Sequence, residues 1–87
     1  MPWFVKIEKG IVAKHIFDQY VPAHLEYVAR LNKLGHDAKT GYWKEDEGGM
    51  LIFQADSIEE AKTIVENDPL ILNKCVEYVL HQWCVVG

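Results

Sequence analysis

The chain has 87 residues, 49% of them hydrophobic, and 9 basic side chains stand against 13 acidic ones for a net charge of −4. That is room for one small domain, spanning 1–87, with a modest core, and the acidic balance excludes a protein that tracks nucleic-acid phosphates, which needs a basic patch. No apolar run reaches the roughly eighteen residues of a membrane span, and MPWFVKIEKG lacks the charged-then-apolar order of a signal peptide, so a cytoplasmic protein is expected.

Pro2 to Glu8 alternates Trp3, Val5 and Ile7 against Phe4 and Lys6, which predicts a strand. A connection of mixed character follows from Gly10 to Tyr20. Pro22 fits the first turn of a helix, where a missing N–H costs nothing. From there His24, Tyr27, Val28, Leu31 and Leu34 recur at helical spacing, Leu25 flanks them, and Gly35 suits a stop. His36 to Trp43 is the next strand, ended by the acidic turn KEDEGG at Lys44 to Gly49. Gly49 to Ala55 is apolar on both faces and so belongs in the middle of a sheet. Ser57 and Glu60 make a capping box for a helix with Ile58, Ala61, Ile64 and Val65 inward, and Asn67 can close it in a left-handed conformation. Cys75 to Val86 reads as a long last strand.

The order β-α-β-β-α-β is that of the ferredoxin-like α+β fold, a four-stranded antiparallel sheet with two helices on one face. Neither parity of the last strand makes the second sheet face polar. A homodimer packed through that open face is the expected partner arrangement.

Little of the usual catalytic vocabulary is present. Cys75 and Cys84 cannot bridge each other along one strand, have no metal spacing, and read as small core residues in a reducing compartment. His15, His24, His36 and His81 show no zinc spacing, and no nucleotide loop occurs, so neither metal nor cofactor is expected. His24 stands out. In the first turn after Pro22 the positive helix end would keep its imidazole neutral, while a carboxylate within reach would orient it and stabilise its charged form. Asp68, held extended by Pro69, can supply that carboxylate if the two helices lie side by side. Taken alone, a histidine on such a stripe is most often a core residue, and an aspartate before proline most often caps a turn.

The chain resembles the YciI-like (YCII-related) family of small dimeric proteins. The resemblance runs nearly end to end: PAHLEYV at Pro22 to Val28, the glycine after that helix, TGYW at Thr40 to Trp43, SIEEA at Ser57 to Ala61 and NDPL at Asn67 to Leu70. It implies a ferredoxin-like, dimeric α+β barrel with a His–Asp pair lining a pocket, which falls on His24 and Asp68. One relative's dehydrochlorination of a chlorinated hydroxyquinol implies acid–base chemistry on an aromatic ring. The chain departs from the family in lacking an arginine shortly before the histidine, in carrying Leu70 where an aromatic often follows D-P, and in having Tyr42 and Trp43 after the hairpin glycine.

The remaining pocket candidates are Tyr42, Trp43, Pro69, Leu70, His81 and Trp83. The aromatics among them can sandwich a flat ligand or anchor a core or dimer interface. Two functions from different classes follow. In one, His24 and Asp68 carry isomerase- or lyase-type proton transfer on a small cyclic or aromatic metabolite. In the other, the same pocket holds a metabolite without turnover. A buried His–Asp bond that merely ties two helices together is a third reading.

Overall fold

The computed structural model describes residues 1–87. Chain order is β1 (Trp3–Gly10), α1 (Lys14–Lys33), β2 (Lys39–Tyr42), β3 (Gly49–Gln54), α2 (Ile58–Glu66), a single-turn α3 (Pro69–Leu72) and β4 (Val76–Trp83). The strands lie in the order β2-β3-β1-β4, and every pairing is antiparallel. This is the ferredoxin-like α+β fold.

Register assigns the two sheet faces, because directly paired residues point the same way. Phe4 pairs with Phe53, Lys6 with Leu51 and Leu80, and Thr40 with Leu51. These residues face the helices. Phe4, Leu51 and Phe53 meet Val28 and Leu31 of α1 and Ala61, Ile64 and Val65 of α2 in the main core, with the Phe4 and Phe53 rings stacked at 5.9 Å. The other face carries Trp3, Val5 and Ile7, aligned with Ile52, Met50, Val79, His81 and Trp83. Ile7, Val79 and Trp83 on it are exposed.

The helices depart from expectation. α1 starts at Lys14, so Pro22 lies inside it. Phe17 and Tyr20 continue the helical stripe backwards and pack beside Leu70, Cys75 and Val76. That tertiary packing outweighs the one backbone hydrogen bond an internal proline removes. His24 is therefore mid-helix, and the helix-end field expected to act on it is absent, since that effect fades beyond the first turn. Leu34 is exposed rather than on the packed stripe, and Leu25, flanking it, is exposed as well.

Ser57 caps α2 as expected, accepting from the Glu60 N–H. Asn67 ends it at φ −95°, not in the left-handed region, because the chain runs straight on into α3. β2 is shorter than His36 to Trp43, and β4 stops at Trp83, leaving Cys84 exposed while Cys75 is buried. No helix is long and apolar enough to cross a membrane.

Candidate functional site

Four elements converge beneath α1. Asp68 sits at the corner between α2 and α3. Pro69 restricts it to an extended conformation (φ −66°, ψ 129°), and its carboxylate caps α3 by accepting from the Leu70 N–H at 2.9 Å. From this corner the carboxylate reaches inward to two further donors. Lys6 Nζ, from β1, donates to Oδ2 at 2.9 Å, and His24 Nδ1, from mid-α1, lies 2.9 Å from both carboxylate oxygens. The far ring nitrogen, His24 Nε2, is 2.8 Å from the hydroxyl of Thr40 on β2.

The group is buried: Lys6 and Asp68 are 0% exposed, His24 5% and Glu8 7%. Burial alone would raise the Asp68 pKa, but the hydrogen bond from His24 and the ammonium of Lys6 more than offset it. The carboxyl stays below its ordinary value of 3.8. An ionised carboxylate only accepts, so His24 Nδ1 carries a proton and donates it. In the neutral imidazole, Nε2 then accepts from the Thr40 hydroxyl; in the imidazolium the direction reverses. Lys6 Nζ also lies 3.4 Å from Glu8 Oε2. That is an ion-pair distance without hydrogen-bond geometry, and Glu8 Oε2 has no hydrogen-bond partner. The field of Asp68 reaches Tyr27, whose phenol is pushed up first by burial and then by that charge, partly offset by Arg30.

The chemistry available is proton transfer. Asp68 fixes the ring and its tautomer, and Lys6 holds Asp68 ionised. Nε2, through the Thr40 hydroxyl, is the atom left to exchange a proton. No three His, Cys, Asp or Glu side chains converge as metal ligands.

A cleft of about 510 Å³ opens beside this group, walled by Val12, Phe17, Val21 and Tyr42 over the backbone of Gly10 and Gly48. Val21 precedes His24 on the same face of α1, and Tyr42 shares its face of β2 with Thr40. The cleft is therefore flanked by residues one helical turn from His24 and two positions from Thr40, although His24, Thr40 and Asp68 form no part of its wall.

The expected site residues divide into separate groups. His24 and Asp68 touch, and Tyr42 lines the neighbouring cleft. Pro69 is half-buried beside Asp68, while the Leu70 side chain is committed to a small core cluster. Trp43 borders a more open depression with Ile7, Tyr78 and Val79. His81 and Trp83 pair with Val5 and Trp3 on the opposite face of the sheet, away from His24. Lys6, Glu8 and Thr40 were missed. The signal for two of them was legible: Lys6 and Glu8 share the parity of Phe4, and two charges on the buried parity of a strand need partners.

The family model described as the YCII-related domain matches residues 4–83. The Bacillus subtilis (strain 168) protein YjpA, itself uncharacterised, is 31% identical over 65 residues, covering 75% of this chain and 76% of that one. Among solved structures, the 5-chloro-2-hydroxyhydroquinone dehydrochlorinase TftG from Burkholderia phenoliruptrix AC1100, in complex with 2,5-dihydroxybenzoquinone, is similar at a TM-score of 0.74. It is 24% identical over 94% of this chain and 93% of that one. A de novo designed protein, Ferredog-Diesel, has a TM-score of 0.66 at 14% identity over 94% and 85% of the two chains. At those identities the two structures establish the fold.

Proposed function

The chain belongs to the YCII-related family, and from that premise we propose that it binds a small cyclic or aromatic metabolite and moves a proton on it with His24. Asp68 is the orienting acid and Tyr42 a wall of the binding cleft. The observation that carries this reading is the direction of the hydrogen bonds on His24. Nδ1 is engaged with a buried, ionised Asp68 that Lys6 also holds, while Nε2 faces only a hydroxyl. Such a ring gains and loses its proton at Nε2 alone, which is what a general base or acid requires. A proton taken from one ligand atom and returned at another completes an isomerisation, or assists loss of a leaving group, without an external oxidant or reductant. The similar dehydrochlorinase acts on a chlorinated hydroxyhydroquinone, which supports an aromatic polyol as the first substrate class to try.

A second copy of the chain completes the picture. Trp3, Val5, Ile7, Val79 and Trp83 form an apolar face that a homodimer would cover, with His81 and Trp83 as interface residues rather than ligand contacts. Residues 1–87 act as one domain. The free thiols of Cys75 and Cys84 suit a reducing cytoplasm.

The metabolite-holding alternative rests on a specific observation: His24 is only 5% exposed and Nε2 is already occupied by Thr40. Histidine NMR titrations of the wild type and Asp68→Asn, run beside turnover assays on hydroxyhydroquinones, separate the readings. The enzyme reading requires His24 to titrate, its pKa to fall when Asp68 loses its charge, and turnover to vanish in His24→Ala. Ligand binding that His24→Ala weakens, with no turnover in the wild type, selects the holding module. A His24 that titrates identically in both proteins removes the dyad.

A further inference from the structure

The walls and the mouth of the cleft beside His24 differ in chemistry. Its walls are the apolar and aromatic side chains of Val12, Phe17, Val21 and Tyr42, and its volume of about 510 Å³ suits a single ring with a short substituent. Its mouth carries Lys14, Asp18, Asp46 and Glu47. Lys14 Nζ lies 2.6 Å from Asp18 Oδ2, so those two charges neutralise each other. Asp46 and Glu47 form no ion pair, although Lys9 borders the next depression with them; Asp46 Oδ1 accepts only the Glu47 backbone N–H. The only arginine in the chain, Arg30, is engaged over the Tyr27 ring, away from the cleft.

With Lys14 and Asp18 paired, the charge left at the mouth is that of Asp46 and Glu47, set against apolar walls that help to focus it. The electron-rich faces of Phe17 and Tyr42 act in the same sense, since aromatic rings attract cations over their faces.

We propose that this cleft takes a small aromatic ligand bearing a positive charge, such as an arylalkylamine, in preference to a phenolate or carboxylate of the same size. The assignment rests on the cleft being the substrate site of the function proposed above, and it specifies the substrate class. Ring stacking against Phe17 and Tyr42 supplies the bulk of the contact, and Asp46 and Glu47 select the charge.

The test uses two probes of matched ring and chain length and opposite charge, tyramine and 3-(4-hydroxyphenyl)propionate, titrated into the 15N-labelled full chain. Tyramine is expected to shift the amides of Val12, Phe17, Val21 and Tyr42 and to bind about three- to tenfold more tightly, the range that two exposed carboxylates provide. The preference should fall towards parity in Asp46→Asn/Glu47→Gln, two exposed loop substitutions, and at high salt. Equal or tighter binding of the propionate, or no shift of these amides by either probe, overturns the proposal. Repeating the titration in His24→Ala separates it from the catalytic reading. A preference that survives there stands even if His24 proves not to titrate, while loss of the preference with a titrating His24 removes only the ligand class.

Discussion

The buried charge group makes a demanding prediction about stability. In Asp68→Asn the side chain keeps one oxygen, which the Leu70 N–H can occupy, and its new NH2 then points at donors. Lys6, fully buried, loses its partner at 2.9 Å and retains only Glu8 Oε2 at 3.4 Å. Breaking a buried pair from one side costs about 3–5 kcal/mol, because a desolvated charge is left uncompensated. Lys6→Met leaves two buried carboxylates without their cation, so its cost falls in the same range of about 3–5 kcal/mol. The double variant removes both charges, and its cost should fall short of the sum by about 1–3 kcal/mol. A domain of this size holds roughly 0.05–0.15 kcal/mol per residue in total, so either single variant consumes much of the margin. Urea unfolding followed by tryptophan fluorescence, at one fixed protein concentration, gives all three values. Single costs below about 1 kcal/mol, or strictly additive ones, would mean that the pair is not desolvated as the structure has it.

Two further outcomes follow from the same geometry. The Asp68 carboxyl titrates below 3.8 in the folded chain, so at acid pH the unfolded state binds more protons. Its contribution is complete above the unfolded value and is lost as pH falls through the folded one. Urea midpoints should therefore drop on the acid side of about pH 4, and this part of the drop should be missing in Asp68→Asn. Gly48 has φ +112°, and a Cβ there would collide with the Glu8 carbonyl oxygen, whereas a Cβ at Gly10 meets nothing. Gly48→Ala should lose at least about 1–3 kcal/mol, read as a fall of about 4–8 °C in Tm per kcal/mol, and Gly10→Ala should melt close to the wild type.

Much of the architecture is legible in the sequence because its causes are local. The alternation in β1, the Ser57–Glu60 capping box and the apolar run of β3 each act within a few residues, and each element forms where those patterns stand. Where a local pattern had two readings, tertiary packing decided. Pro22 reads as a helix start, yet Phe17 and Tyr20 dock beside Leu70, Cys75 and Val76 and carry α1 back to Lys14. Asp68 before proline reads as an extended exit from a helix, which it is, but only the fold makes it the cap of α3 as well.

The candidate site depended on both levels. The chain itself marks His24 and Asp68, through residue type, helical spacing and family resemblance. It also sets the parity that buries Lys6. What joins them is decided in three dimensions: Lys6 and Asp68 stand 62 positions apart and His24 and Asp68 44 apart. The register of β1 with β4 turns His81 and Trp83 to the opposite face of the sheet. Periodicity says which side chains share a face. It carries no information about which face of another element they will meet, because that is settled when strands pair and helices pack.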